Sequence, residues 1–233
     1  MLILVFDTET TGLPNSKIIS PDTLSLWPHI VQFSYVIYDT SAGDIVKTVD
    51  KIVKVTEDVV ITDESTQFHG ITNQIAKKKG KPIEGIFHEF FENLKNIDML
   101  VGHNISFDIN IVKVELLRII YAADSSSISE EDLKVFKHHL HLLTNFQNIC
   151  CTLQETIEIC DIKAVNKSGK TYLKFPKLSE LHEKLFETTP NNLHNSFTDI
   201  LVTLRCFMKL KHNIDLNDDC IKFKKHAKKL KIF

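Results

Sequence analysis

The apolar pattern opens with an unbroken run over residues 2–6 and turns polar at Asp7. Such a run without alternation is what a strand buried on both faces presents. Residues 30–38 and 45–55 read as two more strands. Residues 39–43, rich in turn formers, have hairpin chemistry, so the first three strands are expected to be antiparallel neighbours. Short helical pieces follow at 62–68 and 73–79. A stronger helix starts at Pro82, with Ile83, Ile86, Phe87, Phe90 and Leu94 on one stripe.

The period then alternates between strand and helix. Residues 98–101 read as a short strand, and 106–121 as a helix carrying Ile109, Val112, Leu116 and Ile120 at helical spacing. Residues 125–147 read as an inserted helical segment, with Ser129 and Asp132 as a capping box and Leu133, Phe136, Leu140 and Leu143 as its stripe. A strand at 149–152, a helix to Cys160, a polar loop over 161–174 and a helix carrying Leu178, Leu181 and Leu185 come next. The last core helix is expected over 196–211. Residues 217–233 place Cys220, Phe223, Ala227 and Leu230 on one face and six lysines around the rest, a basic amphipathic helix.

With 233 residues, 43% apolar and 25% charged, the chain can bury one core, and disordered, collagen-like and disulfide-scaffold classes are excluded. No repeat or Pro/Gly-rich linker divides it. The expected organisation is one domain over 1–211, with the insert at about 125–147, followed by the basic helix over 212–233. The opening apolar run is too short for a secretory or membrane-spanning segment, so an intracellular protein, cytoplasmic or nuclear, is expected. Five cysteines form no CxxC pair, and read as reduced and mostly buried. The net charge of −2 gives no global attraction to nucleic acid.

Asp7 and Glu9 stand two apart at a strand end, so both side chains leave one face. They are either solvated acids or, if buried, a pair that a divalent cation compensates. Asp108 falls in the first turn of a helix after His103, Asn104 and Phe107, where the macrodipole favours an acid. Asp199 follows Ser196 by three, the spacing of a capping box, and His194 lies in a polar loop. Jointly, four carboxylates and a histidine that a sheet could bring to the carboxyl ends of its strands suit a two-metal hydrolase.

Phe6-Asp7-Thr8-Glu9-Thr10-Thr11-Gly12-Leu13-Pro14, Val101-Gly102-His103-Asn104-Ile105-Ser106-Phe107-Asp108 and the H-x4-D spacing of His194 and Asp199 resemble the three motifs of the DEDDh 3′–5′ exonucleases, the group that contains the epsilon subunit of bacterial DNA polymerase III. Phe68-His69-Gly70-Ile71-Thr72 and the stretch from Phe175 to Leu181 add to the likeness, which spans about 1–210.

The resemblance implies an α/β, ribonuclease-H-like fold, a mixed five-stranded sheet flanked by helices. It implies that Asp7, Glu9, Asp108 and Asp199 bind two Mg²⁺ or Mn²⁺ ions and that His194 is the general base. An imidazole suits proton abstraction near neutral pH. It makes Thr10 and Thr11 candidates for the 3′-hydroxyl, Leu13 for a wedge between the last bases, and His103, Asn104 and Phe107 for further substrate contacts. The implied reaction is removal of nucleoside monophosphates from single-stranded or mispaired DNA 3′ ends, in proofreading or repair beside a DNA polymerase. RNA is the alternative substrate, and a non-catalytic polymerase- or nucleic-acid-binding adaptor is the alternative role. The lysine-rich helix is either a solvated face or an arm that tracks phosphates.

Overall fold

The computed structural model describes residues 1–122 and 128–233. In chain order these form β1 (Leu2–Thr10), β2 (Ile30–Asp39), β3 (Asp44–Ile52), α1 (Asp63–His69), α2 (Asn73–Lys79), α3 (Ile83–Leu94), β4 (Met99–Gly102), α4 (Ile105–Ala122) and α5 (Glu130–Thr144). There follow β5 (Ile149–Cys151), α6 (Thr152–Glu155), α7 (Ile157–Cys160), β6 (Lys163–Val165), β7 (Thr171–Leu173), α8 (Leu178–Phe186), α9 (Ser196–His212), α10 (Leu216–Asp219) and α11 (Ile221–Leu230). The main sheet runs β3-β2-β1-β4-β5, antiparallel among the first three strands and parallel from β1 to β4 to β5. The mixed five-stranded sheet expected from the sequence is present.

Alternation along β1 sorts its side chains between two apolar layers. Leu4 and Phe6 join Phe33, Tyr35, Phe87, Phe90 and Phe91 beneath α3, α4 and α5. Ile3 and Val5 join Val36, Val101, Leu201 and Phe223 beneath α8, α9 and α11. The period of two therefore sends Asp7 and Glu9 to the α9 side and Thr8 to the α4 side.

Each of the two arginines fastens a loop. Arg118 donates to the carbonyls of Leu24 (2.7 Å), Trp27 (2.6 Å) and Pro28 (3.0 Å) and pairs with Glu115 at 2.9 Å, fixing the chain ahead of β2. Arg205 forms a bidentate pair with Asp215, both bonds 2.7 Å, between the rings of Phe186 and Phe233.

Three expectations change, and the insert is helical as expected. Residues 53–55 are not strand: beyond Ile52 the backbone turns off, and Val53 bridges to Lys81. The loop 161–174 contains the hairpin β6–β7. The tail is two helices, broken at Cys220, whose extended backbone ends α10 and whose sulfur caps α11. The insert contributes α5, whose Phe136 and Leu143 are buried in the α3–α4 layer, and its first residues, 125–127, lie outside the described residues. Ser129 caps α5 as expected, accepting from the Asp132 N–H.

Phe90 is the hub of the aromatic layer, with ring centroids 5.1–5.5 Å from those of Phe6, Phe33, Tyr35 and Phe91. Phe90→Ala is expected to cost about 3–5 kcal/mol in denaturant titration, and the same change at exposed Phe175 within about 0.5 kcal/mol. Equal costs at the two positions would show that this layer does not carry the fold.

Candidate active site

The acidic motif is built where β1 runs out between its neighbours. Asp7 lies opposite Ser34 and Glu9 opposite Gln32 on β2. These two polar residues interrupt an otherwise apolar strand, and they tie it to α9. The Ser34 hydroxyl donates to Asp50 at 3.1 Å and lies 2.7 Å from the Ser196 hydroxyl. Gln32 donates to Asp50 at 2.8 Å and accepts from the Asn195 side chain and the Ser196 N–H. The first turn of α9 is thereby fixed beside Asp7 and Glu9.

Asp199 projects from that turn. A capping box does not account for it: Asn195 is the N-cap, accepting from the Thr198 N–H, and the Ser196 hydroxyl is turned to Ser34. Single carboxylate oxygens of Asp7, Glu9 and Asp199 lie within 4.8 Å of one another. Asp199 Oδ2 accepts from the His194 N–H at 3.3 Å, and among the described residues its buried Oδ1 has no hydrogen-bond partner.

Asp108 approaches from the other side of β1. Its Oδ1 accepts from the N–H (2.9 Å) and the hydroxyl (2.8 Å) of Thr8, the residue whose side chain alternation sends toward α4. The turn that delivers it passes through Gly102, where a Cβ would stand 2.8 Å from that of Ile105, and Asn104, in the left-handed region at φ 68°.

Burial and mutual repulsion dominate the electrostatics. Asp7 is held well above the usual carboxylate range, first by desolvation and then by Asp108, Asp199 and Glu9. Desolvation and the charges of Asp199 and Asp108 push Glu9 up to about 8. Desolvation raises Asp108 to about 7 against the opposing bonds from Thr8, and Asp199 to about 7 against the bond from His194. A carboxylate with a buried oxygen that lacks a partner among the described residues, grouped with two more carboxylates in an all-oxygen donor set, fits a hard divalent cation.

The remaining residues line or flank a cleft of about 670 Å³. Glu9, Thr10, Thr11, Leu13, Phe68, His69 and His194 border it. Leu13 is 80% exposed and Phe68 61% exposed. His194, at φ 67°, sets its ring edge-on to Phe68, centroids 5.7 Å apart. The Thr10 hydroxyl donates to the Gly12 carbonyl at 2.6 Å, and the Thr11 hydroxyl accepts from the His29 N–H at 3.0 Å, so both shape the turn from within.

Three predicted contacts stand elsewhere. His103 has both ring nitrogens engaged, Nδ1 with Thr152 and Nε2 with the Pro176 carbonyl, each at 3.0 Å. A carbonyl only accepts, so Nε2 carries the proton. Burial lowers this histidine to about 4, keeping it neutral. Phe107 packs against the aromatic layer, and Asn104 is exposed at the head of α4. Sequence reasoning assigned no role to Thr8, Gln32, Ser34, Asp50, Asn195 or Phe68. Two polar residues spaced by two in the apolar strand 30–38 were the available signal for Gln32 and Ser34.

A family model described as an exonuclease, of the RNase T type, matches residues 4–207. The chain belongs to this exonuclease family. It is a nuclease of the DEDDh type on a ribonuclease-H-like fold, as the motifs implied. Similar solved structures include exonuclease I of E. coli in complex with a dT13 oligonucleotide, at 17% identity and TM-score 0.60, covering 91% of this chain and 42% of that one. Exonuclease I of Methylocaldum szegediense matches at 17% identity and TM-score 0.58, covering 93% and 42%. A zinc-bound E. coli exonuclease I complex with single-stranded DNA matches at 16% and 0.59, covering 91% and 41%. The chain thus spans about two fifths of the length of these proteins. No curated protein sequence matches it. Among the described residues no helix is long and apolar enough to cross a membrane.

Carboxylates with raised pKa favour the folded state while protonated. Their contribution is present below about pH 4 and lost as pH rises through about 7 to 8. Cation binding demands the ionised forms and opposes that loss. The Mg²⁺-induced rise in Tm is therefore expected to grow from about pH 5 to about pH 8 and to vanish in Asp7→Asn. In chelator at the alkaline end, Asp7→Asn is expected to melt above the wild type, having one fewer repelling charge. Melting curves with Mg²⁺ and with chelator across this range check both; a pH-independent metal shift counts against the cluster as the site.

Proposed function

We propose that this nuclease removes nucleoside monophosphates one at a time from the 3′ ends of single-stranded or frayed DNA. The observation that carries the reading is the cluster of Asp7, Glu9 and Asp199 carboxylates, with a buried Asp199 oxygen that has no partner among the described residues, beside a cleft lined by Glu9, His194 and the exposed Leu13 and Phe68. An acid floor suits cations that meet a phosphodiester, and apolar walls suit unstacked bases. Solved relatives described with dT13 and with single-stranded DNA support DNA as the polymer.

In this reading Asp7, Glu9, Asp108 and Asp199 would hold two Mg²⁺ or Mn²⁺ ions, whose chemistry would be to polarise the scissile phosphate and acidify the attacking water. Thr8 holds Asp108 to one side of β1, while the Gln32–Ser34–Asp50 network holds Asp199 on the other. His194 takes the proton from water. Its ring stands at the cleft mouth against Phe68, on a loop whose backbone is tied to Asp199, so it can turn inward without moving the helix. Leu13 separates the last two bases and Phe68 stacks on one of them. Thr10 and Thr11 set the turn that meets the 3′-terminal sugar. A preference for frayed ends places the activity in proofreading or repair, with a DNA polymerase as the natural partner. The five free cysteines fit a reducing compartment, cytoplasmic or nuclear.

Matched 5′-labelled DNA and RNA oligonucleotides, single-stranded and 3′-mismatched, are expected to give a ladder shortening from the 3′ end in Mg²⁺ or Mn²⁺, faster on DNA and abolished by chelator. Internal products, or faster loss of RNA, would overturn the reading. Phe68→Ala is expected to lower kcat/KM roughly tenfold or more, since base–aromatic stacking is worth about 1–3 kcal/mol.

At saturating metal, His194→Ala is expected to lower kcat about a hundredfold or more, the usual worth of a positioned general base, while keeping the Mg²⁺ shift in Tm. An unchanged kcat in His194→Ala would remove the base from this position.

A further inference from the structure

The carboxylates dominate the cleft, yet a substrate strand is a polyanion, and the cleft rim supplies little positive charge. That charge is concentrated on α11. Residues 222–231 hold six lysines and no acid, in a chain of net charge −2. Among the described residues, Lys222 alone of these forms an ion pair, with Asp44 at 2.7 Å, and it also donates to the Ile45 carbonyl. Lys224, Lys225, Lys228, Lys229 and Lys231 are exposed.

Contacts at both ends fix the direction of this helix relative to the site. Asp44 lies at the end of the sheet where Asp39 pairs with Leu2, the far end of β1 from Asp7 and Glu9. Lys222 is anchored there. The other end of α11 reaches the catalytic end: the His226 ring meets Phe197 of the first turn of α9, centroids 5.6 Å apart. The Asn192 side chain donates to the Leu230 carbonyl at 2.9 Å, and the Asn191 N–H to the Ile232 carbonyl at 2.8 Å. These asparagines belong to the loop that carries His194. Ten residues at about 1.5 Å rise make a lysine-studded rod of about 15 Å leading to the base.

Lys225 and Lys229 lie close enough to His226, whose ring meets Phe197 of α9, for their charges to act on it. Burial, then the charges of Lys229 and Lys225, hold His226 below its ordinary range, so it stays neutral and the field here is that of the lysines. A bilayer surface is the other polyanion that a basic amphipathic helix suits, but it requires a free apolar face. Here Phe223 and Ala227 are sealed in the core, at 0% and 3% exposure.

Resting on the exonuclease reading above, we propose that α11 is a phosphate track that guides single-stranded nucleic acid toward the His194 side of the cleft, with Lys225 and Lys229 as its principal contacts. Ammonium groups on flexible stems meet phosphates as point charges without reading bases. The track is therefore blind to sequence and sensitive to salt.

The test is fluorescence anisotropy of a labelled single-stranded DNA oligonucleotide of about 15 nucleotides, in chelator so that no cleavage occurs, over a range of salt. Lys225→Gln with Lys229→Gln is expected to weaken binding and to reduce the slope of log K against log salt by about 1.4, from about 0.7 per lost phosphate contact on a single strand. The control is Lys134→Gln with Lys137→Gln, exposed on α5, which removes the same charge from the opposite layer and is expected to leave the slope unchanged. An unchanged slope in the α11 pair, or an equal change in both pairs, overturns the proposal. Because binding is read without turnover, a 3′ ladder with an unchanged slope rejects the track alone. A reduced slope with no nuclease activity rejects the exonuclease reading and keeps α11 as a nucleic-acid surface.

Discussion

Repulsion among four carboxylates in a poorly solvated pocket is the constraint around which this structure is arranged. Left alone, those groups take up protons near neutrality or push apart, and each outcome would spoil an oxygen cage for a cation. The fold resists by dividing the load across β1. Its odd positions give Asp7 and Glu9 to the α9 layer, where Asp199 meets them, and its even position Thr8 holds Asp108 on the α4 side. Rigidity on both faces comes from a large apolar investment: the aromatic layer under α3 and α4, and the aliphatic layer under α9 and α11. The cluster is thus a locally unfavourable feature supported by favourable packing elsewhere, the usual mark of a site kept for chemistry.

Much of this arrangement was legible from the residues. The buried run of β1, the bounds of α2, the stripe on α3 and the strand-to-helix junction before Asp108 all follow from periodicity and capping. The catalytic roles of the five candidates came from the resemblance of the three motifs to the family, and the structure gathers Asp7, Glu9 and Asp199, with the charge of Asp108 acting on them and His194 bordering the cleft. The support around them was harder to read. Ser34 and Ser196 are 162 positions apart, and only the strand register makes them neighbours. Asp199 had a local explanation in a cap that Asn195 supplies instead.

The misread hairpin β6–β7 has its own physical cause. Its strands are three residues long, and most of their side chains face solvent. No apolar alternation exists to be read. The turn is held by the Asn166 side chain, which accepts from the Ser168 and Lys170 N–H groups at 3.0 and 2.9 Å. Such a hairpin is defined by local hydrogen bonds rather than by burial. The tail misled for the opposite reason: its apolar face is continuous in sequence, but the extended backbone at Cys220 divides it into two helices.

The distribution of the basic residues bears on how such an enzyme would move. Both arginines are engaged inside the molecule, Arg118 on the loop before β2 and Arg205 on Asp215, so the outward positive charge belongs to lysine. A guanidinium fork grips a phosphate in a fixed bidentate geometry, whereas an ammonium on a four-carbon stem holds it as a point charge with little directional demand. After each nucleotide is released, the strand must advance by one phosphate. Contacts without register let it do so with every phosphate exchanged for its equivalent neighbour, at nearly constant energy. In the function proposed above, register would be imposed at the cleft, where Leu13, Phe68 and the carboxylates would define one position for the terminal nucleotide.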